Sequence, residues 1–195
     1  MTGVAHSPDA RNRILATAYD LFTRRGIRDV GVDEVVATAG VAKTTLYRHF
    51  PSKDDLVLAF LEQREQVWTV EIVERRSRER AADPEGQLLA IFDVFDDWFH
   101  HRTDYEACSF IKVMFEMGSH GVIGRACVDH LENIRKIVRS RAEQAGLRDP
   151  TEFSCAWNIL MKGSIVSAAE GDVDAAKRAK KFGAWLIDQH RPKPG

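Results

Sequence analysis

Apolar residues recur every three or four positions along this chain and almost nowhere alternate, which is the spacing of helices and not of strands. Ile14, Leu15, Ala18, Leu21 and Phe22 make the first stripe; Ser7-Pro8 opens it as an N-cap with proline at the first helical position, and Gly26 closes it. Gly31 caps a second helix carrying Val32, Val35 and Val36, which stops at Ala39-Gly40. A third, short helix runs from Lys43 to Phe50 and is ended by Pro51. Ser52 with Asp55 forms a capping-box pattern that starts a long fourth helix. Its apolar positions Val57, Phe60, Leu61, Val67, Trp68, Ile72 and Val73 share one side before it dissolves into the charged run ERRSRERAAD.

Asp83-Pro84 and Asp149-Pro150 repeat the cap-plus-proline start, and Glu152 completes a box at the second. Further helices are expected at 85–102, 106–117, 120–145, 150–170 and 173–190, with Gly118, Gly121, Gly146 and Gly171 as breaks. The expected fold class is all-α. A three-helix module, residues 1–52, is joined through the long fourth helix to a larger helical body, residues 53–195.

The second and third helices are short and separated by a tight turn with glycine, which fits the helix-turn-helix unit whose second helix enters the DNA major groove. With Val32, Val35, Val36, Val41, Leu46 and Phe50 inward, Lys43, Thr44, Thr45, Tyr47 and Arg48 are left outward. Lys43 can donate to guanine edges or a phosphate, and the two threonines offer hydroxyls to base edges and methyls to thymine. Tyr47, His49 and Lys53 suit phosphate oxygens, which fix register without reading sequence. The same pattern also describes an ordinary polar helix surface.

Composition adds little to this picture and removes several alternatives. The 195 residues are 44% hydrophobic and 29% charged, an ordinary globular balance. The net charge is −1, and residues 1–56 hold eight Lys/Arg against seven Asp/Glu, so any nucleic-acid contact rests on placement and not on a global basic field. No apolar run approaches membrane-spanning length, and MTGVAHSPDARNR lacks the pattern of a secretory signal, so a cytoplasmic address and no membrane partner are expected. Cys108, Cys127 and Cys155 are odd in number and far apart, which indicates neither a disulfide framework nor a zinc site. His100 and His101 project in different directions, and His120 and His130 could approach a ligand or metal but read more plainly as surface or satisfied core. The sequence contains no nucleophile elbow, phosphate loop or HExxH, so no catalytic residue, metal or cofactor is assigned.

The stretch VDEVVATAGVAKTTLYRHFPSKDDLV, preceded by RILATAYDLFTRRGIRDVGV, resembles the N-terminal domain of the tetracycline-repressor (TetR) family over roughly a quarter of the chain. Its hallmark is a helix-turn-helix ending in Leu-Tyr-x-His-Phe and a following Lys. The resemblance puts Lys43, Thr44, Thr45, Tyr47, His49 and Lys53 on the family's usual DNA-contacting positions. Gly31, Val36 and Ala42 depart from the common Ser or Thr, Ala and Ser at those places, and Ala42 caps its helix less well by about 1 kcal/mol.

The resemblance further implies a homodimer through the last two helices, a palindromic operator in double-stranded DNA, and a body that binds a small effector. Trp68, Phe92, Phe95, Phe99, Phe110, Met114 and Trp157 are candidates to line an apolar or amphipathic ligand site, with Glu116 and Asp97 able to meet a polar group of the ligand. The plainer reading of the aromatic and methionine residues is that they are simply core. Small residues at Ala156, Gly163 and Ser167, and at Ala176, Ala179 and Gly183, suit either the dimer contact or an intramolecular helix contact. The expected function is a ligand-responsive regulator of transcription, a repressor released by its effector. A carrier or enzyme with an incidental helix-turn-helix module, and an architectural DNA-binding protein without a ligand, are the alternatives.

Overall fold

A computed structural model describes residues 9–101 and 108–193, and the described chain is helical throughout. The elements are α1 (Ala10–Arg25), α2 (Val32–Ala39), α3 (Lys43–His49), α4 (Lys53–Arg64), a π-helical stretch (Glu65–Arg76), α5 (Ser77–Arg80), α6 (Pro84–His101), α7 (Ser109–Met117), α8 (Val122–Gln144), α9 (Pro150–Ala169) and α10 (Ala175–His190). The expected cap at Ser7-Pro8 and the start of the helix expected at 106 lie outside the described residues. No helix among them is long and apolar enough to cross a membrane.

Two compact units emerge. The first joins residues 1–64 with 109–128, and the second joins residues 65–108 with 129–195. In the first unit, Ile14, Ala18 and Phe22 of α1, Val35 of α2, Leu46 of α3 and Val57, Phe60 and Leu61 of α4 are all buried. Phe60 takes Tyr19 and Phe22 edge-on at 5.5 and 5.6 Å. Arg64, buried at the end of α4, donates to the Tyr19 hydroxyl at 2.8 Å.

The start of α4 is built as expected: the Asp55 amide donates to Ser52 Oγ at 3.1 Å, and the Ser52 hydroxyl donates to the Asp55 carboxylate at 2.6 Å. At α6, the Gly86 amide donates to Asp83 Oδ1 at 2.8 Å. The box expected at α9 does not form. Asp149 adopts a left-handed backbone, φ 49°, which carries its side chain away from the first-turn amides, and no side-chain cap is made.

The long fourth helix also departs from regular α geometry. From Glu65 to Arg76 its turns widen to the π form. Trp68 and Val73, five residues apart, are both buried, while Val67, expected on the inner face, is 40% exposed. Regular α spacing would set positions five apart about 140° from each other; the wider turn brings them to one side.

In the second unit α10 packs on α6 and α9. Ala176, Ala179 and Gly183 face inward, and a Cβ at Gly183 would stand 2.9 Å from the Trp157 ring and 3.0 Å from Phe92. The small residues of α10 therefore serve an intramolecular contact. Lys180 reaches both Asp93 carboxylate oxygens at 2.7 Å across the same seam.

Arg141 of α8, 2% exposed, donates to Ser77 Oγ at 2.7 Å, the Glu74 carbonyl at 2.9 Å and the Gln87 carbonyl at 3.1 Å. It thereby ties the end of the π stretch, α5 and the start of α6 to α8. Burial pulls its pKa down to about 10, with the charge of Arg78 adding to the effect and Glu74 opposing it, so the group stays protonated at neutral pH. Replacing it removes three hydrogen bonds, of which the one to Ser77 Oγ is fully buried. Arg141→Ala should lower the unfolding free energy by about 3 kcal/mol in urea titrations; a loss within about 0.5 kcal/mol, the ordinary surface value, would refute that role.

Candidate nucleic-acid interface

The turn between α2 and α3 is fixed by backbone chemistry. Gly40 takes the left-handed conformation, φ 64° and ψ 43°, that ends α2. The Val41 amide returns to the Val36 carbonyl at 3.1 Å and the Gly40 amide to Ala37 at 3.3 Å, which is the Schellman pattern. Ala42 then begins α3 without a side-chain cap, its carbonyl accepting from Thr45 at 2.9 Å and Leu46 at 3.2 Å. Leu46 and Phe50 are buried, so the rest of this short helix points outward.

Lys43, Thr44, Tyr47 and Arg48 are exposed on α3, whereas Thr45 and His49 are half-buried at its flanks. Lys53, at the start of α4, is half-buried and donates to the Ile27 carbonyl at 2.6 Å. Of the residues expected on this surface, the structure thus gathers six on α3 and turns the ammonium of the seventh toward the connection between α1 and α2.

Two neighbours escaped the sequence reading. Asp33 of α2 holds the Lys43 ammonium at 2.6 Å and keeps its pKa above the ordinary lysine value, chiefly through that hydrogen bond. The Arg11 guanidinium of α1 lies over the Phe50 ring, 5.2 Å from its centroid. Neither contact has a local signal, because ten and thirty-nine positions separate the partners.

The residues expected to line a ligand site divide between the units. Trp68, Phe92, Phe95, Phe99 and Trp157 belong to the second, and Phe110 and Met114, both on α7, to the first. The five form a chain of rings, Trp68 to Phe95 at 5.5 Å, Phe95 to Phe99 at 6.0 Å, Phe92 to Phe95 at 6.3 Å and Phe92 to Trp157 at 5.1 Å. All five are buried. Asp97 pairs with Arg80, and Glu116 accepts from the Ile27 and Arg28 amides.

His130 meets Glu65 at 2.8 Å; His120 is exposed. Although burial raises the pKa of Glu65, its hydrogen bonds and the His130 charge outweigh this and lower it. Asp96, His100 and Asp174 converge, but Lys177 stands 2.8 Å from Asp174 and 3.8 Å from Asp96 and supplies their counter-charge.

A two-helix unit with an exposed polar second helix, backed by α1 and α4, defines a helix-turn-helix module. Residues 14–60 match the family model described as bacterial regulatory proteins, tetR family. The chain is 32% identical over 95 residues to the transcriptional activator FasR of Mycolicibacterium smegmatis, covering 49% of this chain and 42% of that protein. It is 38% identical over 176 residues to the transcriptional regulator EthR of Mycobacterium tuberculosis, covering 87% of this chain and 65% of that one. It thus spans less than two thirds of either relative.

Among solved structures, a TetR-family transcriptional regulator from Streptomyces coelicolor superposes with a TM-score of 0.83 at 26% identity, covering 93% of this chain and 95% of that one. The multidrug-binding protein EbrR, complexed with malachite green, shares the fold with a TM-score of 0.71 at 19% identity, covering 92% and 99%. Residues 14–60 are thus a TetR-family DNA-binding domain by sequence, and the described fold matches that of a solved TetR-family regulator.

The Asp33–Lys43 pair yields a prediction for polyanion binding. Without Asp33 the ammonium is released to pair with an external phosphate. Asp33→Asn should tighten binding to random-sequence duplex and steepen the slope of log affinity against log salt by about 0.9, one additional phosphate contact. Slopes that coincide for the two proteins would disprove the masking.

Proposed function

We propose that this chain is a DNA-binding regulator of transcription that works as a homodimer on a two-fold-symmetric operator and answers to a small effector. The observation that carries the reading is the exposed face of α3, where Lys43, Thr44, Tyr47 and Arg48 stand clear of a helix anchored by Leu46. Lys43 and the threonines supply base-edge chemistry, and Tyr47, Arg48 and His49 supply phosphate chemistry. Lys53 reaches a phosphate on leaving the Ile27 carbonyl.

The dimer reading is supported by an apolar surface on the last two helices. Ile159 and Val166 of α9 and Phe182 and Trp185 of α10 are 71%, 51%, 61% and 58% exposed. A hollow of about 210 Å³ lies among Ala156, Ile159, Leu160, Phe182, Trp185 and Leu186. Large exposed rings beside an apolar hollow form a self-complementary surface, suited to a two-fold contact. Two copies also double the bases that one short helix can read.

For the effector, the ring cluster of the second unit has the chemistry of an apolar or amphipathic ligand site. Trp157 is fully buried and its indole N–H has no partner among the described residues, so a ligand bearing a hydrogen-bond acceptor could pair with it there. Because these residues lie outside α3, the effector acts by favouring a conformation in which α3 no longer fits DNA, and it must bind that conformation more tightly. Repression relieved by the effector is the reading proposed, although FasR is named an activator.

Selection of bound fragments from random DNA tests the function, and enrichment of a palindrome is expected; a pool that never enriches would refute it. On the selected duplex, Thr45→Ala should change base preference, while Tyr47→Phe should weaken specific and random duplexes by similar factors. Competition binding across a panel of single-base variants distinguishes the two, and a Tyr47→Phe that alters preference as much as Thr45→Ala would invalidate the division of roles. Trp185→Glu should convert a sedimenting dimer into monomer at micromolar concentration with its helical content intact. Dimer that survives this substitution would place the contact elsewhere.

A further inference from the structure

The connection between α1 and α2, Gly26 to Gly31, carries the orientation of the helix-turn-helix that follows it. It is held by charged side chains from elements distant in sequence. Glu116, in the last turn of α7, accepts from the Ile27 amide at 2.9 Å and also from the Arg28 amide. One turn earlier on α7, Lys112 donates to the Thr23 carbonyl at 3.0 Å, in the last turn of α1. Lys53 of α4 donates to the Ile27 carbonyl at 2.6 Å. All of these residues belong to the first compact unit.

Two further observations single out Glu116. An acid at a helix C-terminus faces the negative end of the macrodipole, so this residue opposes the stability of α7 itself and its benefit must arise elsewhere. In addition, Gly26 has φ 87°, and a Cβ there would stand 3.0 Å from Glu116 Oε2. The backbone has been left bare where the carboxylate approaches.

We infer that Glu116, with Lys112, is a positioning residue for DNA reading: α7 grips the α1–α2 connection and sets the orientation of α2 and α3. The inference rests on the proposed DNA-binding function. A carboxylate that receives two backbone N–H groups fixes them in direction as well as in distance, since such charge-assisted bonds are short and aligned. With the grip released, the connection moves, and α3 loses the orientation that its short length cannot hold alone.

Amide hydrogen exchange and DNA binding together test the inference. In Glu116→Ala, the amides of Ile27 and Arg28 should exchange about tenfold faster, with those of Phe60 and Leu61 unchanged as the sign of an intact fold. Affinity for the selected duplex and for random-sequence duplex should both fall about tenfold, without a change in base preference. Glu116→Gln, which keeps one acceptor, should fall between wild type and Ala, and Lys112→Met should weaken both duplexes as well. Unchanged exchange at Ile27 and Arg28 would overturn the grip. Faster exchange with undiminished DNA affinity would overturn the positioning role. If the wild-type protein binds neither duplex, the DNA-binding function itself fails and takes the positioning role with it, while the exchange data still report whether the grip exists.

Discussion

A helix of seven residues cannot sustain itself in water, because the turn that nucleates it costs more than its few hydrogen bonds return. α3 is such a helix, and everything it does depends on being held from outside. Leu46 and Phe50 supply that hold by packing inward, and the Schellman turn at Gly40 aims the helix before it starts. The outward residues are then free to be chosen for contact with a partner, since none of them is needed for folding. Stability and recognition are thus divided between two faces of the same two turns.

Much of the fold was legible along the chain because helices announce themselves locally. Ser52 with Asp55, and Asp83 ahead of Pro84, mark helix starts through bonds spanning three residues, and both are made. What could not be read is what joins distant positions. Glu116 read as a group for a polar ligand, and it lies against amides 88 and 89 positions earlier. Lys53 read as a phosphate contact, and its ammonium rests on a backbone carbonyl 26 positions away. The stripe Ala176, Ala179 and Gly183 fitted two uses equally, and only the presence of Trp157 and Phe92 opposite Gly183 decides for the intramolecular one. On α3 the outward residues follow from helical period alone, but Asp33 beside Lys43 does not.

Charge is placed with similar economy. Along the π stretch and α5, Arg75 is matched within about a turn by Glu71 and Glu79 and Arg78 by Glu74, while Arg80 pairs with Asp97 of α6. Each exposed pair contributes little by itself.

The π stretch makes the pitch of a helix and the packing of one indole a single variable. Trp68 lies in the ring cluster, 4.3 Å from Trp98 and 5.5 Å from Phe95, because the widened turns bring it to the same side as Val73. Rewinding Glu65–Arg76 to α geometry would keep the chain helical but rotate Trp68 away from those rings. Conversely, any molecule that displaces the indole removes what favours the wide turn. The winding of this segment and the packing of its indole among the rings are therefore one coupled quantity, and neither can change without the other.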